Sequence, residues 1–173
     1  MTDPNSDYDN PWKQALSLYF SDFIAFFFPK IHAEIDWTKP YEFLDKELQQ
    51  VMRDDEIGKR VADKLVKVWL RDGSETWLLI HVEVQGQYQV IFPERMYVYN
   101  SRIFGLYRRQ VVSLAVLADE DPSWRPQHYG HEIWGCRIML EFPIVKLLDY
   151  RQRWQELETM HIFTTSAGSN TKE

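Results

Sequence analysis

ADKLVKVWLRDGSETWLLIHVEVQGQ, residues Ala62 to Gln87, reads as a strand, a tight turn and a second strand. Leu65, Val66, Val68, Trp69 and Leu70 precede the turn; Trp77 to Ile80, Val82 and Val84 follow it. Val, Ile and Trp suit a pleated, half-buried surface. Asp72-Gly73 between the runs is a hairpin signal, because glycine accepts the positive φ such turns need.

This ribbon carries acids where strands usually carry apolar side chains. Side chains alternate faces with period two, so Asp63, Leu65, Lys67 and Trp69 share one face, and Trp77, Leu79, His81, Glu83 and Gln85 share another. With Asp72-Gly73-Ser74 as the loop, Arg71 pairs with Glu75 and Asp63 falls opposite Glu83; a two-residue loop slips that register by one. Carboxylates facing each other repel and destabilise a sheet. A bound divalent cation is the natural compensation.

Upstream, Asn10-Pro11 reads as a helix entry, and Trp12, Leu16, Tyr19, Phe20, Phe23, Phe26 and Phe27 recur at helical spacing until Pro29. A second helix is expected from about Tyr41 to Glu56, with Leu44, Leu48, Val51 and Met52 as its apolar stripe. Glu47 sits at the edge of that stripe: its ordinary reading is a solvated flank, its functional one a further acid facing the ribbon.

Downstream, Gly86-Gln87 breaks the strand and Pro93 opens a helix to about Tyr107, striped by Met96, Tyr99, Ile103 and Leu106. Arg95, Arg102 and Arg109 recur every seven residues, a row whose guanidinium forks match phosphate oxygens. VVSLAVLA (111–118) is a near-continuous apolar run, the pattern of a strand buried on both faces and reached by a helical crossover. Residues 128–142 follow with strand-like spacing, Pro143 interrupts them, and a charged segment ends in a helix. His81 is expected to pack or hydrogen-bond beside Glu83; Cys136 reads as a buried structural thiol without zinc-ligand neighbours; His128 and His131 fall on opposite faces of a strand.

At 173 residues one domain is expected: a loose start over 1–10, a folded body over 11–158 and a disordered tail over 159–173 rich in Ser, Thr and Gly. A net charge of −6 argues against a broadly basic nucleic-acid coat and leaves room for a local groove. A single cysteine makes no internal disulfide, which fits a reducing cytoplasm. The acidic start lacks a signal peptide's basic and apolar regions, and the apolar run Phe23–Pro29 is too short to span a bilayer, so no membrane partner is expected.

The order helix, helix, hairpin, helix, buried strand gives a mixed α/β domain. ADKLVKVW, HVEVQGQ and ERMYVYN, supported by DNPW, YEFLDKELQQ and WGCR, resemble the Rpn-like family of recombination-promoting nucleases, long labelled transposases, within the PD-(D/E)xK superfamily. The resemblance runs from about Asn10 to Leu157. It implies a restriction-endonuclease-like α/β core, a mixed central sheet flanked by helices. It assigns Asp63 and Glu83 to a metal, Glu83 and Gln85 to an E-x-Q motif, and Arg95 and Tyr99 to an R-x-x-x-Y pattern, with Glu47 as a candidate helix glutamate.

The chemistry implied is Mg²⁺-dependent hydrolysis of DNA phosphodiesters, with Mn²⁺ as a substitute and a homodimer as the cutting form. Asp63 and Glu83 hold the metal, Gln85 orients water or a phosphate oxygen, Arg95 contacts phosphate or braces the carboxylates, and Arg102 contacts phosphate. The superfamily usually has lysine where Gln85 stands; a neutral amide can orient water but takes no proton. Lys67 lies about 13 Å along the strand from Asp63 and substitutes poorly. Two other readings keep the same fold: nucleic-acid binding without cleavage, and a protein-interaction domain retaining the acids as a relic.

Overall fold

Strands with apolar residues on both faces need cover on both, and the central ribbon has it. In the computed structural model, which describes residues 11–52, 61–83, 90–153 and 155–156, β1 (Glu42–Phe43), β2 (Val61–Trp69) and β3 (Glu75–Glu83) pair antiparallel. β4 (Val111–Leu117) lies parallel to β3. β5 (His128–Ile133) and β6 (Cys136–Glu141) form a separate two-stranded sheet, and β7 (Ile144–Lys146) returns beside β4, completing the five-stranded order β1-β2-β3-β4-β7. Leu65, Val66, Val68, Leu78, Leu79, Ile80, Leu114 and Val116 are all buried, so successive residues are covered on either side. The chain is mixed α/β, as its sequence indicates.

The ribbon's register differs from the expected one by two residues. Trp69, not Arg71, is the partner of Glu75, so Asp63 faces His81 and Val61 faces Glu83. The cause lies upstream. Asp36 N–H donates to the Trp69 carbonyl at 2.8 Å, Arg71 N–H donates to the Glu34 carbonyl at 3.0 Å, and Ile35 bridges Leu70. Leu70 and Arg71 are thus engaged by residues 34–36, and the turn widens to five residues, closed by Leu70 N–H to the Ser74 carbonyl at 2.8 Å. Gly73 takes φ +88°, and Asp72 Oδ1 accepts from Ser74 N–H and Oγ at 2.8 and 2.6 Å. A slip of two preserves the alternation; a slip of one would have inverted it.

The crossover from β3 to β4 runs through a long helix, Phe92–Tyr107, whose buried face is Phe92, Arg95, Met96, Tyr99 and Ile103. It starts one residue before the expected Pro93, and Arg108, at φ +53°, caps it. Tyr99 and Ile103 pack with Leu65, Trp77 and Leu79, while Met96 and Phe92 pack with Ala115 and Leu117, so this helix covers the odd-numbered face of β2, β3 and β4. Asn100 Nδ2 ties it to β4, donating to the Val111 carbonyl and Ser113 Oγ at 3.0 Å each. A shorter helix, Asp45–Met52, follows β1 and adds Leu48 and Val51 to the same cluster, with Leu44 just before it.

The chain divides into two compact units, one from the segments up to Ala33 and from Asp149 onward, the other Glu34–Leu148. In the first, the single aromatic helix expected up to Pro29 is two, Pro11–Leu18 and Phe20–Phe27, and a further short helix, Pro29–Glu34, follows. Tyr19 leaves helical geometry at φ −127°, and Pro29 both ends one helix and starts the next. Tyr150, in the 3-10 helix Leu147–Arg153, packs on Phe26 and Phe27 at 5.2 and 5.4 Å. The expectations for residues 1–10 and 159–173 lie outside the described residues.

Candidate metal centre

β3, β4 and β7 run parallel, and their carboxyl ends align in one row. Val61, Glu83, Leu117 and Lys146 are successive partners across β2, β3, β4 and β7. Open α/β sheets offer ligands the crevice at this end of their strands. Asp63 is diagonal to Glu83, two residues from facing it, and alternation puts both positions on the face covered by the Phe92–Tyr107 helix. The two acids are therefore not directly opposed. Diagonal neighbours in an antiparallel pair stand about 7–8 Å apart.

Arg95 lies on the sheet-facing side of that helix, four residues before Tyr99 and therefore about 6 Å nearer the row. It is 6 % exposed, its guanidinium 5.3 Å over the Phe92 ring. A buried cation here can brace nearby carboxylates; it is not laid out along the surface for a nucleic-acid backbone. The phosphate-binding row anticipated from the sequence is not formed. Arg102 is half-buried and donates Nη1 to the Val51 carbonyl at 2.9 Å, fixing the two helices together. Arg109 lies beyond the helix end and approaches Glu75 at 3.8 Å.

Glu47 is not brought to the acids. Its carbonyl accepts from Tyr107 Oη at 3.4 Å, and the Tyr107 ring packs on Trp77 at 5.4 Å, at the opposite end of β3 from Glu83. Burial, then the Glu47 charge, raises the Tyr107 hydroxyl above its ordinary pKa. Gln85 lies outside the described residues; His81 is the cross-strand partner of Asp63. Cys136 is exposed rather than buried, because the β5–β6 ribbon is largely exposed. Trp134 at its tip is 99 % exposed at φ +52°.

No sequence motif marks the charge pair beside this row. Lys146, 1 % exposed, sets Nζ 2.6 Å from Asp119 Oδ1, donates to the Trp124 carbonyl at 3.1 Å and lies 5.5 Å from the Trp124 ring. Asp119, 6 % exposed, follows the end of β4; its Oδ1 also accepts from Asp121 N–H at 3.0 Å. Its Oδ2 is buried without a hydrogen-bond partner among the described residues. The loop is fastened further by Asp121, whose Oδ1 accepts from Ser123 Oγ and N–H at 2.6 and 2.9 Å. The Ser123 hydroxyl holds the Asp121 carboxyl below its ordinary pKa. Only the placement of Lys146 at the end of a short strand, behind Pro143, could have hinted at its burial.

A hard divalent cation suits the oxygen donors of positions 63 and 83. Among the described residues no group of three or more His, Cys, Asp or Glu side chains gathers to hold a metal. Among the described residues no helix is long and apolar enough to cross a membrane. No family model, curated protein or solved structure matches this chain.

Proposed function

We propose that this chain is a Mg²⁺-dependent DNA endonuclease with a PD-(D/E)xK-type core, of the Rpn-like kind its motifs resemble. The observation that carries the reading is the diagonal placement of Asp63 and Glu83 at the carboxyl end of β3, on the face beneath the Arg95 helix. Asp63 and Glu83 hold the cation. When bound, it polarises a phosphate oxygen and lowers the pKa of attacking water. Arg95 braces the acids from the helix, a role its burial favours over phosphate contact. Gln85 orients water through its amide. DNA is the substrate, a homodimer the form that cuts both strands, and the cytoplasm the compartment.

Incubation of supercoiled plasmid with the full chain tests the reading. Nicking or linearisation is expected with Mg²⁺ or Mn²⁺ and is lost on chelation. Cutting that survives chelation contradicts it. A second reading, nucleic-acid binding without cleavage, is favoured by Gln85, a neutral amide where the superfamily usually has lysine. No cutting under any divalent cation, together with DNA affinity that falls steeply with salt, selects that alternative.

A further inference from the structure

Asp119 and Lys146 serve no role in the chemistry above, yet they are the most deeply buried ion pair described. Lys146 is saturated: it meets Asp119 Oδ1, the Trp124 carbonyl and the Trp124 ring. Asp119 is not, because Oδ1 takes both Lys146 and Asp121 N–H while Oδ2 takes nothing among the described residues. A buried acceptor left without a donor is costly, and such atoms call for a ligand or a water. Lys146 stands in the row of Glu83, two strands away and so about 10 Å between Cα atoms. Asp119 follows Leu117, the residue of that row between them.

We propose that Asp119, fixed by Lys146, accepts a hydrogen bond through Oδ2 from a water in the hydration shell of a divalent cation held by Asp63 and Glu83. The inference rests on the metal-centre reading above. Direct ligation by Asp119 is disfavoured, since the ammonium 2.6 Å from Oδ1 neutralises the carboxylate and repels a second cation. Acceptance from water is not: a charged acceptor whose orientation is locked forms a strong, directed bond. Asp119 is then a positioning residue, and it supplies an anionic acceptor in addition to the neutral amide of Gln85. Partners of this outer kind change metal affinity about 10- to 100-fold when lost.

The test titrates Mn²⁺ into the full chain, followed by electron paramagnetic resonance, beside Asp63→Ala, Asp119→Asn and the double variant Asp119→Leu/Lys146→Met. The double variant replaces a buried pair by apolar groups of similar volume, a change that is commonly neutral or stabilising for folding. Asp119→Asn puts a donor where Oδ2 accepts, and thermal melting identifies which variant stays folded. In a folded variant, Mn²⁺ affinity at the Asp63-dependent site is expected to fall about 10- to 100-fold. Affinity within twofold of the unmodified chain overturns the inference and leaves the pair purely structural. Binding lost in Asp63→Ala but kept in both pair variants overturns this inference alone. No Mn²⁺ binding by the unmodified chain overturns the metal centre with it.

Discussion

The two ends of the five-stranded sheet treat charge in opposite ways. At the start of β3 charges pair in water: Lys67 meets Glu42 across β1 and β2, and Arg109 approaches Glu75 at 3.8 Å with its side chain half exposed. At the carboxyl end, Lys146, Asp119 and Arg95 are taken out of solvent together. Exposed pairs contribute little, whereas a buried pair costs several kcal/mol of desolvation per ion that its attraction barely repays. Hydrophobic residues of equal volume would hold the sheet as well. Among the described residues the buried charges lie toward the end of the sheet that also carries positions 63 and 83, where the metal centre is proposed.

Four perturbations sharpen or break this contrast. The largest effect belongs to chemistry: Glu83→Gln is expected to reduce plasmid cleavage by about 10³-fold, matching the several kcal/mol a positioned cation supplies, while melting stays near that of the unmodified chain. Next is Lys146→Met alone, which leaves Asp119 charged and buried. It should cost about 3–5 kcal/mol, a fall in melting temperature on the order of 10 °C. Lys67→Ala, at the solvated end, should lower melting far less than Lys146→Met; equal losses would erase the distinction between the ends.

The smallest effect is in the turn. The Ser74 hydroxyl and amide hold the Asp72 carboxyl below its usual pKa of 3.8. A depressed folded pKa stabilises above the unfolded value and loses that contribution as pH falls through the folded one. Asp72→Ala should therefore flatten the acid limb of stability below about pH 4, read by melting at pH 5 and pH 3. An unchanged limb would remove the Asp72–Ser74 turn from the account.

Much of the sheet was legible because it is written locally. The apolar run 111–118 becomes a buried parallel strand, and Pro93 marks the crossover helix to within one residue. The ribbon's register was not legible, because residues 34–36 hydrogen-bond with Trp69 and Arg71, and no pattern within 62–87 reports a partner elsewhere. Positions 63 and 83 remain on one face, though not opposite each other, because a slip of two keeps the alternation. The arginine row failed for a related reason: helical spacing shows which residues share a face, not whether that face meets water. Lys146 was invisible, since a buried lysine and a solvated one share the same letter. Residues 36–38, 72–74 and 121–123 repeat one legible device, an aspartate accepting from the backbone and hydroxyl of Ser or Thr two residues on.

The most direct measurement is Mg²⁺-dependent cleavage of plasmid DNA by the full chain beside Asp63→Ala at equal concentration and confirmed fold. The metal centre at Asp63 and Glu83 requires cutting by the first and none by the second. Equal cutting by both would contradict it.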